Sequence, residues 1–329
     1  MEVLYLTHPA FHRHDTGTWH PERPARLEAV EKGVLAAGPA VMPIEAPLAE
    51  PRHLLTVHTP EYVDAIRRFC EAGGGALDPD TVAGPASWEA ALRAAGAGPA
   101  AVAHLRAARG TRTAFCAVRP PGHHARRAQA MGFCLFNNVA ITARLLTESG
   151  SRVAIVDWDV HHGNGTEELR LSDPDVLYVS LHQHPFYPFT GGESGVNTIN
   201  YPLPAGTGGD VYRAVIAEVV APAVARFGAD WLIVSAGYDA HEEDPLAEMR
   251  LVSDDYAAMS RTLARVVPPE RTVFFLEGGY NLAALTASVA ATLRGVFHIG
   301  AVGPPRSSPP ASWQAAERAT AVVRRSWNV

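Results

Sequence analysis

The stretch V-A-I-V-D-W-D-V-H-H-G-N-G at positions 153–165 constrains this chain more than any other. It starts as an apolar run, Val153 to Val156, rich in β-branched residues, as in a strand buried on both faces. It then turns polar, with Asp157, Asp159 and His161 at every second position. On an extended backbone that period puts these three side chains on one face and Trp158, Val160 and His162 on the other. Gly163 and Gly165 let the backbone turn tightly at the end of the run. Carboxylates and an imidazole at the mouth of a buried strand are costly to desolvate unless they hold a cation or one another. An isolated D-x-D fits a solvated rim. Three ligand-type residues followed by G-x-G point instead to a metal site of the Zn, Fe(II) or Mn class, with further ligands supplied from elsewhere in the chain.

The remaining apolar runs repeat the pattern. Strands are predicted at 3–7, 113–118, 176–181, 231–235 and 272–276, and helices at 26–35, from Pro60 to Phe69, at 87–108, at 210–227 and from about Trp313. Thr59 is the expected N-cap and Pro60 the first helical residue. Alternating strands and helices, with the strands apolar throughout, predict an α/β fold with a mainly parallel sheet covered on both faces. No repeat or linker divides the chain, so residues 1–329 are expected to form one domain. The polar motifs fall just after predicted strands: His123 and His124 in a Pro-rich turn, Asp157 to His161, Asp239, and Tyr280 behind Gly278 and Gly279. In an open parallel sheet, ligands bind outside the carboxyl ends of the strands, so these segments are expected to converge on one crevice.

Other residues are weaker candidates. Phe133 after Gly132 fits a pocket wall or ordinary core. His8, His12, His14 and His20 follow the first strand, but their spacings share no face and a polar loop accounts for them. Asp78 and Asp80 in a Gly-rich loop fit a solvated turn or the mouth of a site for a cationic substrate, and Arg26 is placed to reach inward. A net charge of -6 and scattered basic residues, all but Lys32 being Arg, exclude an electrostatic footprint for nucleic acid. Cys70, Cys116 and Cys134 form no CxxC pair and suit a reducing compartment. With no apolar run near the ~20 residues of a membrane span and no basic, apolar leader at the N-terminus, a soluble cytoplasmic protein is expected.

The motifs R-P-P-G-H-H-A at 119–125, G-F-C-L-F-N-N at 132–138, D-W-D-V-H-H-G-N-G-T at 157–166, S-A-G-Y-D-A at 235–240, D-P-L at 244–246 and L-E-G-G-Y-N at 276–281 together resemble the zinc-dependent histone deacetylase family. That resemblance implies a three-layer arginase/deacetylase-like fold. Asn164 and the L-E-G-G-Y-N ending are similar to the class II branch and its bacterial relatives, including acetylpolyamine amidohydrolases. The resemblance makes Asp159, His161 and Asp239 the ligands of Zn(II), or of Fe(II), which the same residues serve. It makes His123 and His124 the catalytic pair, oriented by Asp157 and Asn164, and Tyr280 the catalytic tyrosine. Gly132, Phe133, Tyr187 and Leu246 are implied to line the substrate tunnel, Leu246 standing where the polyamine-selective relative has Glu. Asp157 and Ser180, with the carbonyls of Asp159, His161 and Leu181, match a K+ site.

The implied reaction is hydrolysis of an acetyl amide to acetate and an amine. An acetylated protein or peptide is the expected substrate, and a small acetylated amine such as an acetylpolyamine is the alternative. An acidic mouth closed by a partner subunit would favour the latter; the residues leave the oligomeric state open. Two other classes fit the sequence less well. A non-catalytic acyl-lysine reader is disfavoured by the joint presence of both histidines, Tyr280 and three ligands. A dimanganese ureohydrolase would need further Asp and His ligands for a second metal.

Overall fold

The apolar runs do form parallel strands. The computed structural model describes residues 1–107, 109–170 and 173–327, so the expected helix end at Ala108 lies outside the described residues. The strands are β1 (Glu2–Thr7), β2 (Ala40–Glu45), β3 (Gly75–Ala76), β4 (Val82–Ala83), β5 (Arg112–Cys116), β6 (Val153–Asp157), β7 (Val176–Gln183), β8 (Thr198–Leu203), β9 (Trp231–Ala236) and β10 (Thr272–Leu276). Among the described residues, eight of them form one parallel sheet in the order β2-β1-β5-β10-β9-β6-β7-β8. β3 and β4 make a small antiparallel pair around the Asp78–Asp80 turn.

Helices cover both faces of the sheet. On β10, Phe275 faces the Ser87–Ala107 helix so closely that a Cβ on Gly98 would lie 2.6 Å from its ring. Phe274 points the other way, toward Phe115 and Trp158, and Trp158 meets Tyr256 of the Ser253–Leu263 helix. The inner strands β6, β7, β9 and β10 are buried at every residue, which is why their sequences read as continuous apolar runs. Thr59 caps the Pro60–Glu71 helix as expected, accepting from the amide of Tyr62. The C-terminal helix, Pro310–Trp327, begins three residues before Trp313.

Two strands of the large sheet, and the short β3–β4 pair, were not legible. β2 (AVMPIE) and β8 (TINYPL) each contain proline, which a central strand excludes, and both lie at sheet edges where a missing N–H donor is tolerated. One expectation is corrected. The strand stops at Asp157, so the alternation through His161 is not that of a strand. The amides of Asp159 and His161 are taken by the carboxylates of Asp157 (3.1 Å) and Asp159 (2.9 Å), which replaces ladder pairing with side chain–backbone turns.

A fully buried ion cluster ties the first loop to the sheet. Glu22 accepts from Arg119 at 2.5 and 2.7 Å and from Arg26 at 3.0 Å. All three side chains are at 0% exposure. Burial opposes ionisation of Glu22, yet the guanidinium groups of Arg119 and Arg26 hold its carboxyl down at about 2. The native state therefore binds a proton at lower pH than the unfolded chain does. The stabilisation is full above the unfolded carboxylate pKa and is lost as pH falls toward 2. Removing one charge from a buried cluster costs about 3–5 kcal/mol, so Glu22→Gln is expected to be destabilised on that scale in denaturant unfolding at pH 7. The gap between variant and wild type is expected to narrow between about pH 4.5 and pH 2.

Candidate active site

β5, β10, β9 and β6 are neighbours in the centre of the sheet, and the segments leaving their carboxyl ends meet. From β6 come Asp159 and His161, and from β9 comes Asp239; each offers one ligand atom, and these lie within 4.8 Å of one another. Nδ1 of His161 is 3.1 Å from Oδ1 of Asp159 and 3.2 Å from Oδ2 of Asp239. Backbone amides fix both carboxylates: Gly278 N–H donates to Asp159 Oδ2 (2.7 Å) and Val160 N–H to Asp239 Oδ1 (3.0 Å). The remaining oxygen of Asp239, Oδ2, is buried and has no well-formed hydrogen bond. Burial and the adjacent Asp159 carboxylate push Asp239 up to about 6. Two buried carboxylates held together, one with a spare lone pair, are what a cation requires.

The backbone is shaped to leave room for them. A Cβ on Gly237 would lie 2.1 Å from Asp159 Oδ2, and one on Gly278 would lie 2.0 Å from Asp239 Oδ2. The cluster thus fits a divalent metal of the class that Asp and His ligands bind.

The turn after β5 carries His123 and His124, whose ring centroids are 4.0 Å apart. His123 donates from Nδ1 to Asp157 Oδ2 (3.1 Å). Despite burial, the carboxylates of Asp159 and Asp157 raise His123 to about 10. His124 Nδ1 lies 2.9 Å from Asn164 Oδ1, and this contact leaves Nε2 free. Burial, and then the charged His123 beside it, push His124 well below its usual range and keep it neutral. Asp157 is also fully used: Oδ1 accepts from Asp159 N–H, and Oδ2 also accepts from Tyr178 O–H at 3.1 Å. Among the described residues, Asp159, His161 and Asp239 are the one group of side chains placed to hold a metal, and no second set of Asp and His ligands stands beside them for a dinuclear site.

Above the cluster lies a cavity of about 240 Å³ lined by His123, His124, His161, Gly132, Phe133, Tyr187, Leu246, Tyr280 and Asp80. Gly132 is required there, since a Cβ would sit 2.3 Å from the His124 ring. Phe133 is held at φ +68° by its amide's bond to Thr81 Oγ1 (3.1 Å) and meets Tyr280 edge to face. Burial pushes the Tyr280 phenol well above its usual range, so it stays a donor. Asp80 reaches the mouth. Asp78 instead turns its carboxylate to the amides of Asp80 (3.0 Å) and Thr81 (2.6 Å), which makes it a turn-former. Arg26 does reach inward: it donates to the carbonyls of Gly279 (2.7 Å) and Glu277 and lies 5.0 Å from the Tyr280 ring.

Two acids went unnoticed in the sequence. Glu277 accepts from the amides of Gly122 (2.7 Å) and His123 (3.2 Å) and so holds the histidine turn against β10. Asp244 accepts from the amides of Tyr280 (2.6 Å) and Asn281 (3.2 Å). A carboxylate directly before G-G-Y at a strand end was the available signal for Glu277, and the D-P-L motif was the one for Asp244, though neither showed the partners.

This is an α/β protein with a metal-ready carboxylate–imidazole cluster, a histidine pair and a tyrosine facing one narrow cavity. Residues 20–296 match the histone deacetylase domain family. The chain is 36% identical to a probable deacetylase of Archaeoglobus fulgidus, over 98% of this chain and 94% of that protein. It is 41% identical to a histone deacetylase-like amidohydrolase of Pseudomonas aeruginosa, over 72% and 65% respectively. The solved HDA15 HD domain superposes with a TM-score of 0.89 at 34% identity, covering 98% of this chain and 96% of that one. The chain belongs to the histone deacetylase family, with the arginase/deacetylase-like fold. Among the described residues, no helix is long and apolar enough to cross a membrane.

If the three-residue cluster binds the metal, purified wild-type protein is expected to retain one equivalent of divalent metal by elemental analysis. Asp239→Ala is expected to lose it, and Gly278→Ala to lose most of it while keeping a cooperative unfolding transition. Stoichiometric metal in either variant counts against the assigned ligand set.

Proposed function

We propose that the protein is a zinc-dependent deacetylase that hydrolyses the acetyl amide of acetyl-lysine in proteins or peptides to acetate and free amine. The reading is carried by one observation: His161 of the Asp159–His161–Asp239 cluster, His124 with its free Nε2, and Tyr280 line one cavity of about 240 Å³. Asp159, His161 and Asp239 would hold Zn(II), or Fe(II), which the same donors accept. The bound cation supplies a Lewis acid that polarises the amide carbonyl and lowers the pKa of water from about 15.7 toward about 7.

The protein's own groups do the rest. His124 is neutral, so Nε2 takes the proton of the attacking water and passes it to the leaving amine. His123, paired with Asp157, carries the positive charge of the pair and stabilises the developing oxyanion. The Tyr280 hydroxyl donates to that oxyanion from the opposite wall. Phe133 and Tyr187 flank the chain of the substrate, and the small cavity excludes bulk water. Asp157 and Ser180 face each other across β6 and β7, and with the carbonyls of Asp159, His161 and Leu181 they are assigned a structural K+. The three free, buried cysteines suit the reducing cytoplasm.

The mouth supports a chain-like substrate over a small amine. Leu246, not an acid, stands at the rim. Trp19 is 95% exposed beside His20, which packs on Phe133. Phe189 is 73% exposed two residues from Tyr187. Exposed aromatics on both walls offer apolar surface to residues flanking the lysine. Asp80, also at the rim, is the feature an acetylpolyamine would use.

The test compares kcat/KM for an acetyl-lysine peptide and for N-acetylputrescine on zinc-loaded enzyme, with and without a chelator. A peptide preference abolished by the chelator is expected; a preference for N-acetylputrescine would move the function to amine metabolism. Tyr280→Phe is expected to keep its metal and lose about 10²- to 10³-fold in kcat, the typical loss for one oxyanion donor. Full activity in that variant would remove Tyr280 from the reaction.

A further inference from the structure

Asn164 presents an ambiguity that a carboxylate in its place would not. Its Oδ1 lies 2.9 Å from Nδ1 of His124, and its Nδ2 lies 3.4 Å from the sulfur of Met131. A primary amide turned by 180° keeps its shape but exchanges acceptor for donor. In the turned state Nδ2–H would face Nδ1 of His124. That nitrogen would then have to be the bare one, and the ring proton would move to Nε2. An imidazole with Nε2 protonated cannot accept a proton from water there. Where the wrong tautomer has been imposed on a catalytic histidine elsewhere, the loss is on the order of 10⁴ in rate.

The far end of the amide decides the orientation. The Met131 thioether is a weak acceptor and has no hydrogen to give. It can receive a bond from Nδ2 but offers nothing to Oδ1. The backbone that carries it is fixed by a turn: Met131 N–H donates to Cys134 O (3.3 Å) and Cys134 N–H to Met131 O (3.0 Å). The same turn carries Gly132 and Phe133 into the cavity.

We propose that Met131 is a positioning residue for the reaction: its sulfur selects the Asn164 orientation that keeps the His124 proton on Nδ1. This rests on the reading of His124 as the base. An Asp at position 164 would have two acceptor oxygens and no donor to misplace, so the need for Met131 exists only while residue 164 is an amide.

The test is a double-mutant cycle of Met131→Leu and Asn164→Asp, with kcat and KM measured on the acetyl-lysine peptide. Leu keeps the apolar volume and removes the acceptor. With Asn164 present, Met131→Leu is expected to lower kcat roughly three- to tenfold, the range of one neutral hydrogen bond, with KM unchanged. In the Asn164→Asp background the same change is expected to have no effect. Equal losses in both backgrounds, or none in either, overturn the proposal, the first because it would mark a packing role. A second readout needs no turnover: ¹⁵N spectra of histidine-labelled, metal-loaded protein. Wild type is expected to show the His124 proton on Nδ1, and Met131→Leu to show a population on Nε2. An unchanged His124 signal overturns the proposal even if the peptide proves not to be the substrate, so its failure is distinct from failure of the deacetylase reading.

Discussion

The site depends on two like charges being held side by side inside the protein. Asp159 and Asp239 are both fully buried, and their fold positions differ: one follows β6, the other β9. Mutual repulsion and desolvation both oppose this arrangement. The fold accepts it by aiming backbone donors at each, Gly278 N–H at Asp159 and Val160 N–H at Asp239, and by placing the His161 ring between them. Those donors belong to segments leaving the carboxyl ends of β10 and β6. The parallel order β10-β9-β6 is what brings the three segments to one point. A cation of charge +2 would offset the two carboxylates, and the glycines at 237 and 278 leave space for their oxygens to face it.

A second layer aligns the remaining groups with this cluster. Glu277 ties the amides of Gly122 and His123 to the end of β10, so the histidine turn cannot drift from the strand that also carries Tyr280. On the other side Arg26 grips the carbonyls of Glu277 and Gly279, and Asp244 grips the amides of Tyr280 and Asn281. The tyrosine is therefore held by its backbone from both directions while its ring stays free to face the cavity. Arg26 is itself fixed through Glu22 to Arg119, at the start of the histidine turn. The two catalytic segments thus share one buried ion cluster, and strain in either would be felt by both.

Much of this was legible because the chemistry is packed into short motifs. Inner strands are apolar because they are buried twice over, and polar residues appear where the strands end, so both the fold class and the convergence of His123, Asp159, Asp239 and Tyr280 could be read from local pattern. The failures were of two kinds. β2 and β8 carry prolines and, at the sheet edges, lack the apolar signature of a central strand. Glu22 reaches Arg119, Glu277 the amide of Gly122 and Asp244 the amide of Tyr280, partners 97, 155 and 36 residues away, and no local spacing encodes such contacts. For Asp78 the sequence left a solvated turn and a site mouth both open. Its side chain serves its own backbone, the usual competing use of Asp in a turn.

In the proposed reaction, the partners of the two histidines decide which one works as a base. Rings 4.0 Å apart in a buried site resist carrying two positive charges. His123 faces the carboxylates of Asp157 and Asp159 and takes the proton, rising to about 10. His124 faces an amide, which orients its ring without offering an opposite charge, so burial and the charged His123 keep it neutral. A carboxylate at position 164 would compete for that proton and narrow the difference between the rings. With Asn164 the environments push the two titrations apart, which is the pattern that assigns one group to charge stabilisation and the other to proton transfer. The difference of one atom type at position 164 therefore sets the division of labour in the pair. It also makes the orientation of that amide, and whatever holds it, part of the reaction's machinery.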